Sequence, residues 1–210
     1  MYSDCFNYLG LLFDSKLSWV SHLNSIKTRC LQKLNIIKTL SNTKWGSDPI
    51  VMLNVHQSIV LSTLNYGSIA YSSAKTKALE MLNPVHNTGI RLSLGAFKTS
   101  PVNSLLSESG MLPLCYRREK QLVSFSLKIL SNPQHTLHSS LLNVSQSSIY
   151  EQKPRINKPF SYRAKSVLIK HNIQLKPIYK IGFQKVPPWM LKEYKIDLSL
   201  KKGLKNVHHR

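Results

Sequence analysis

The nine acidic residues decide which acid-dependent chemistry this chain could perform. Nucleotidyl transfer through two metal ions needs carboxylates close enough to hold ions about 3.5–4 Å apart. The sequence has neither a Y-x-D-D nor a D-x-D motif, and only Glu193 and Asp197 lie four positions apart. These two stand among lysines, where a solvated pair is the simpler interpretation. We therefore predict that the chain is not an enzyme on its own, with no catalytic residue, no metal site and no cofactor.

The histidines, glycines and cysteines add no second reactive cluster. His56 and His86 stand alone in the sequence, and we interpret each as a polar residue on a helix face rather than as a metal ligand. The eight glycines form no G-x-x-x-x-G-K phosphate loop. Because C-x-x-C spacing is missing, we predict neither a disulfide framework nor a zinc site from the three cysteines, Cys5, Cys30 and Cys115.

Positive charge is the strongest chemical signal in the sequence. The chain has 29 Lys and Arg against 9 Asp and Glu, which gives a formal net charge of +20. Such an excess favours a polyanionic partner, with nucleic acid as the first candidate and an anionic membrane as the second. The charge is denser in residues 151–210, which hold 15 basic and 3 acidic residues.

Two groups of cations are candidates for binding nucleic acid. Arg117, Arg118 and Lys120 cluster near the start of a predicted helix, where they could contact phosphates from one face or form an ordinary solvated face. Farther on, basic residues alternate with Phe160 and Tyr162, a mixture that suits stacking on nucleic acid but also a solubilising tail. The candidate residues are Trp45, Arg91, Lys98, Arg117, Arg118, Lys120, Lys153, Arg155, Lys158, Arg163 and Lys165.

Three other residues could have either a structural or a functional role. Asp14 is expected to cap the first helix or to turn the strand before it, rather than to catalyse. Trp19 belongs to the apolar face of that helix and is predicted to lie in the core. Trp45 stands in a loop beside Lys44 and Gly46, so it is the better candidate for stacking on a base.

The elements that must position these residues are mostly helical. An apolar run over residues 8–13 predicts one strand, with a bulge or a close backbone approach at Gly10. From Leu17, apolar residues recur at spacings of three and four, which predicts an amphipathic helix of about six turns. Further helices are predicted over residues 49–64, 75–94, 101–110 and 114–130.

Prolines and small polar residues set the boundaries of these segments. Pro84 predicts a kink or a break within residues 75–94. Ser100 is predicted as the cap of the next helix, with Pro101 at its first position. A linker rich in Ser, Asn and Gln follows over residues 131–150. The predicted fold class is mainly α: a helical bundle with one N-terminal β-strand and an extended basic C-terminal tail.

The sequence also bears on location. No stretch reaches the roughly 20 apolar residues of a membrane span. Residues 1–25 lack the charged start and cleavage site of a signal peptide. We predict an intracellular, soluble protein without a membrane partner, and a nuclear location stays open because of Lys201, Lys202 and Lys205.

Five sequence blocks follow one another in an order that resembles a known family. They are "NYLGLLFDSKLSW", "SNTKWGSDPIVML", "LNYGSIAY", "LNPVHNTGIRLSLGAFKTSPVNSL" and "LCYRREKQLVSFSLKI". In this order they resemble the C-terminal side of the reverse transcriptase of LINE-type, jockey-like non-LTR retrotransposons, over about residues 7–130. The later "VPPWML" and "IDLSL" look like the segment that precedes the ribonuclease H domain in such polyproteins.

The resemblance implies a division of the chain into four parts. Residues 1–16 would be a remnant of the polymerase palm near the primer grip, and residues 17–130 a thumb-like helical domain. Residues 131–150 would be a linker, and residues 151–210 a basic connection segment before a missing ribonuclease H domain. For the parent protein the resemblance implies RNA-directed DNA polymerase activity with Mg²⁺, whose ligands are absent from this chain.

The leading hypothesis is a reverse transcriptase fragment that retains template–primer binding but no catalytic centre. Its partner would be RNA or an RNA–DNA duplex, and no small-molecule substrate is expected. Two alternatives stay open. The chain could be a retroelement relic without function, or one piece of a polymerase assembled with a separately encoded palm.

Overall fold

A β-hairpin forms the first described segment of the chain. The computed structural model describes residues 5–41, 47–142, 150 and 157–173, which all belong to one compact unit. Strand β1 (Cys5–Tyr8) pairs antiparallel with β2 (Leu11–Asp14), and Leu9 and Gly10 make the turn with φ of 48° and 78°. Two positive φ values are typical of tight hairpin turns. The prediction of a single strand over residues 8–13 is therefore wrong, because the apolar run folds back on itself at Gly10.

Helix α1 (Val20–Leu40) begins three residues later than the Leu17 start that the apolar spacing predicts. Both Leu17 and Trp19 have positive φ, 48° and 63°, so a right-handed helix cannot include them. Asp14 accepts the backbone N–H groups of Ser18 and Trp19 at 2.9 and 3.0 Å, which confirms its structural role. Trp19 is buried, as predicted.

The predicted helix over residues 49–64 is confirmed, with one irregularity. It consists of α2 (Pro49–His56), a π-helical segment (Gln57–Leu61) and α3 (Ser62–Asn65). Asp48 caps its start by accepting the N–H of Ile50 at 2.7 Å, and Pro49 occupies the first turn. Gly67 then turns the chain with φ 66° into the short α4 (Ser68–Tyr71).

The break predicted at Pro84 is also confirmed. Helix α5 (Thr76–Glu80) ends before it, and α6 (Asn83–Leu94) carries Pro84 in its first turn, where the missing N–H costs no helical hydrogen bond. Helix α7 (Val102–Ser109) follows. Here Pro101, and not Ser100, takes the cap position, because the Pro101 backbone is extended with ψ 138° and helical geometry starts only at Val102.

Helix α8 (Leu114–Leu130) has the predicted bounds, but the chain after it is more helical than expected. Helix α9 (His138–Leu142) lies within the predicted linker, and α10 (Phe160–Lys170) lies within the predicted extended tail. Both predictions are wrong over these residues. The physical reason for α10 is an apolar stripe at spacings of four and three, Phe160, Ala164 and Val167, which packs in one cluster with side chains of α8.

Two hydrophobic clusters hold the described residues together. The larger surrounds α1 and collects side chains from the hairpin, from α2 to α6 and from the start of α8. The smaller joins α8, α9 and α10 through Leu122, Ile129, Leu141 and Ala164. The described chain is thus mainly helical with one small antiparallel sheet, as the sequence predicts in outline. Among its helices, none has the length and apolar character needed to cross a membrane.

Candidate nucleic-acid interface

One face of α8 carries cations at helical spacing. Arg117, Lys120 and Lys128 lie three and eight positions apart along the helix, so they project to the same side, together with Gln121 and Ser124. This side of α8 lines a groove of about 480 Å³. We call it the α8 groove.

The opposite wall of the α8 groove comes from the turn between α3 and α4, and no acidic residue lines either wall. Arg117 is held in place because its Nε donates to Asn65 Oδ1 at 3.1 Å. Ser68 Oγ donates to Gln121 Oε1, which leaves the amide N–H groups of Gln121 as donors. The groove is lined by Asn65, Gly67, Ser68, Ile69, Leu112, Arg117, Lys120, Gln121, Ser124, Phe125 and Lys128.

The cations of the α8 groove differ in their surroundings. Arg117 is half-buried, and burial lowers the pKa of its guanidinium, although an arginine keeps its charge at neutral pH. Lys120 and Lys128 are exposed. A unit charge pair 4 Å apart gains about 1 kcal/mol in water but about 4 kcal/mol near a protein surface. An anion that reaches Arg117 therefore gains more from it than from either lysine.

Arg118 does not share this surface. Together with Lys158 and Arg163 it lines a separate cavity of about 300 Å³ between α8 and α10, so the prediction that Arg117, Arg118 and Lys120 act from one face is wrong for Arg118. Consecutive residues on a helix are turned by about 100°, which explains the separation. Burial lowers the pKa of the Arg118 guanidinium.

Two of the predicted binding cations near this cavity make structural contacts. Arg163 donates to the hydroxyl of Ser72 and, at 3.1 Å, to the carbonyl of Ile69, so it ties α10 to the end of α4. Lys158 Nζ lies 5.2 Å from the centroid of the Tyr162 ring, which is within cation–π range. Arg163 thus lies at a contact between two helices, whereas Lys158 contacts an aromatic ring of the helix that follows it.

The other predicted site residues are scattered. Arg91 donates to the Ser100 carbonyl at 3.2 Å and so braces the loop between α6 and α7, in which Lys98 is exposed. Lys165 is half-buried on α10. Trp45, Lys153 and Arg155 lie outside the described residues.

Sequence reasoning missed the second half of the groove and a buried histidine pair. Lys128, Gln121 and Ser124 continue the spacing of Arg117 and Lys120, so a helical projection of residues 114–130 would have found them. His56 and His86 looked solitary, yet the structure brings His56 Nε2 within 3.3 Å of His86 Nδ1. No local signal pairs residues thirty positions apart.

In the described part of the chain, no group of three or more His, Cys, Asp or Glu side chains lies close enough together to bind a metal ion. Comparison of the chain with family models, with curated proteins and with solved structures gives no match. The α8 groove is therefore interpreted from its own chemistry. It offers three cations, an amide donor and apolar surface from Phe125 and Leu112, which is a suitable combination for a phosphate backbone.

Proposed function

We propose that this chain binds the sugar–phosphate backbone of RNA or of an RNA–DNA duplex. We further propose that it does so as a thumb-like segment from the reverse transcriptase of a non-LTR retrotransposon, and that it performs no chemistry of its own. The observation that carries the binding proposal is the α8 groove, in which Arg117, Lys120 and Lys128 face the same space and no acidic residue lines it.

Counterion release makes such a groove effective. Each phosphate that a cation neutralises frees condensed counterions, so affinity for polynucleotides depends steeply on salt. The net charge of +20 adds a long-range attraction that speeds encounter with any polyanion. The five sequence blocks quoted above support the proposed parent family, and the mainly helical architecture fits a thumb-like segment.

The test is the salt dependence of binding after part of the groove is neutralised. The double variant Lys120→Gln and Lys128→Gln changes two exposed side chains, so the fold should persist. Fluorescence anisotropy with a labelled RNA–DNA duplex gives log Kd against log salt concentration. If both lysines contact phosphates, the slope should fall by about 2, because each lost contact removes about 0.9.

A matched control removes the same charge elsewhere. Lys75 and Lys77 are exposed at the start of α5 and do not line the groove. The variant Lys75→Gln and Lys77→Gln should keep the wild-type slope. Equal slopes of log Kd against log salt concentration in both double variants would show that only net charge matters. A separate measurement in which heparin binds as tightly as the duplex would count against nucleic-acid recognition.

A second candidate function rests on the β-hairpin. Phe6 and Tyr8 of β1 and Leu9 of the turn expose 66%, 58% and 71% of their surface, and the hairpin is the only sheet in the described chain. Exposed apolar residues beside an unpaired strand edge favour pairing with another chain. We infer that a separately encoded palm could add to this edge. Primer extension that needs both chains, and that is lost in Phe6→Ser, would support this function.

A further inference from the structure

A second cavity lies against α1, away from the α8 groove. Its volume is about 320 Å³, and it shares no lining residue with the groove. One wall belongs to α1 and the other to α3 and the residues that flank it. The lining residues are His22, Ile26, Arg29, Lys33, Ser62, Thr63 and Tyr66.

His22, which lines this cavity, carries an unused hydrogen-bond donor. Its side chain is buried, and Leu12 N–H donates to its Nδ1 at 3.3 Å. Since Nδ1 accepts, the proton of the neutral ring must be on Nε2. Within the described residues, His22 Nε2 is buried and has no hydrogen-bond partner. A buried donor without an acceptor is costly, so this N–H would gain from a ligand that accepts a hydrogen bond.

Among the other polar groups of the cavity, the cations Arg29 and Lys33 favour an acceptor, whereas the hydroxyls of Thr63 and Tyr66 have no free hydrogen to offer one. Thr63 and Tyr66 already donate their hydroxyl hydrogens to backbone carbonyls, at 3.0 and 2.6 Å. Lys33 Nζ donates to the Ile59 carbonyl and to Thr63, which fixes the ammonium at the cavity wall. Arg29 is exposed at the same wall, and no acidic residue lines the cavity.

We propose that this cavity binds a phosphate group. The phosphate would accept hydrogen bonds from His22 Nε2 and from the guanidinium of Arg29, while Lys33 balances its charge. A phosphodiester of a nucleic-acid backbone and free phosphate present the same oxygens, so both sources satisfy this chemistry. The site stands apart from the α8 groove, and it does not depend on the function proposed for that groove.

The ring nitrogens of His22 report binding directly. Long-range ¹H–¹⁵N spectra of histidine-labelled protein at pH 7.5 resolve the Nε2 signal, which His22→Gln assigns by its disappearance. Titration with inorganic phosphate at constant ionic strength should shift this signal in a saturable way. Titration with an oligonucleotide that lacks terminal phosphates identifies the source: a shift there assigns the site to backbone phosphates, and a shift with phosphate alone assigns it to free phosphate.

Variants separate this site from general charge effects. Arg29→Gln should weaken phosphate binding by at least about tenfold, which is about 1.4 kcal/mol, because the variant loses a hydrogen bond between charged groups. The control Lys38→Gln removes an exposed cation from the same helix, about half a turn round from Arg29. The groove variant Lys120→Gln and Lys128→Gln should leave the His22 response unchanged, so the two sites can fail independently.

Two results would overturn the proposal. The first is a His22 signal that moves with neither phosphate nor oligonucleotide, or that moves equally with sodium chloride at matched ionic strength. The second is unchanged phosphate affinity in Arg29→Gln, because the geometry makes Arg29 a direct partner of the bound oxygens.

Discussion

The rings of His56 and His86 stack in the interior, with centroids 5.5 Å apart and both side chains fully buried. Burial, together with the positive charge of nearby Arg117, lowers the pKa of His56 to about 3 and that of His86 to about 4. In the unfolded chain each pKa returns to about 6.5. Below that pH the unfolded state binds protons that the folded state excludes, so the free energy of unfolding must fall as pH falls from about 6.5 towards 4.

We predict a loss of up to about 1.4 kcal/mol per pH unit for each of these two histidines. Urea unfolding at pH 7.5, 6 and 5 measures it, and the lower limit stays above the range in which carboxylates titrate. The double variant His56→Gln and His86→Gln should flatten the dependence, whereas His138→Gln, a partly exposed histidine at the start of α9, should not. Stability of the wild-type chain that stays constant down to pH 5 would contradict this assignment.

Gly89 explains how α6 approaches the His56 ring of α2 so closely. A Cβ at this position would overlap the His56 ring and lie 3.2 Å from Leu34 Cδ2. In a helix interior Gly→Ala normally stabilises by about 1 kcal/mol. Here Gly89→Ala is expected to destabilise by about 1–3 kcal/mol, because the core cannot expand without strain. Thermal unfolding would show the effect, and Thr88→Ala on the exposed side of α6 is the control.

A double-mutant cycle decides whether His56 is the cause. In the background His56→Ala the space beside Gly89 opens, so Gly89→Ala should lose most of its cost. If the cost were the same in both backgrounds, the contact with Leu34 or the helix itself would be responsible.

Asp14 joins the hairpin to α1 through three hydrogen bonds. Its carboxylate accepts from Ser18 N–H, from Ser18 Oγ at 2.6 Å and from Trp19 N–H. Burial alone would raise the pKa of Asp14, but these hydrogen bonds outweigh it and the pKa is lowered. Asp14→Asn should cost about 1–2 kcal/mol and speed amide exchange at Ser18 and Trp19. Glu80→Gln is the control, and unchanged exchange at the two amides would contradict the role.

At the scale of elements, the contact between α8 and α10 depends on a small residue. Ala164 is fully buried against α8, and Lys170 and His171 reach Glu119 at the other end of the contact. Ala164→Leu should separate the helices, because inserted methylenes cost about 1–3 kcal/mol in a packed core.

Hydrogen exchange followed by mass spectrometry locates this effect. Peptides from α10 and from the middle of α8 should lose protection in Ala164→Leu, while α1 should keep it. The control Ile169→Ala shortens an exposed side chain on the same helix and should change little. Loss of protection throughout the unit would mean that the two hydrophobic clusters unfold together.

Helix periodicity and caps were enough to predict most elements, and long-range packing explains the exceptions. The bounds of α8 follow from Pro113 before it and from its apolar spacing, and Pro84 marks the break before α6. The hairpin was missed because Leu9, not a typical turn residue, takes a positive φ beside Gly10. The sequence did not predict helix α10, because basic residues and prolines around it outweighed a short apolar stripe that is covered only through long-range packing on α8 and α9.

The candidate sites also divide into those that local sequence predicts and those that depend on long-range packing. Arg117, Lys120 and Lys128 could be grouped from sequence, since one helix positions all three. The cavity at His22 could not, because Arg29 comes from α1 and Thr63 from α3, and only their packing brings them together. Sequence likewise could not distinguish Arg163, which supports α10, from a cation that is free to bind phosphate.

At the scale of the whole molecule, repulsion between like charges opposes folding. The net charge is +20, and Glu119, which pairs with Lys170 at 2.7 Å and also contacts His171, is one of nine acidic residues against 29 basic ones. Salt therefore screens many repulsions and few attractions. The screening length falls from about 30 Å at 0.01 M to about 3 Å at 1 M salt. Sodium chloride should thus stabilise the chain, by on the order of 1 kcal/mol between low salt and 0.5 M.

Urea unfolding at 0.02 and 0.5 M sodium chloride measures this gain. Glu119→Gln removes the negative charge that pairs with Lys170, so its stability should rise more steeply with salt than that of the wild-type chain. Lys75→Gln with Lys77→Gln removes two positive charges and should respond less. A urea midpoint that falls with salt in the wild-type chain would mean that attractive pairs outweigh repulsion. The order of the salt dependences of the wild-type chain and the two variants tests the same balance without any ligand.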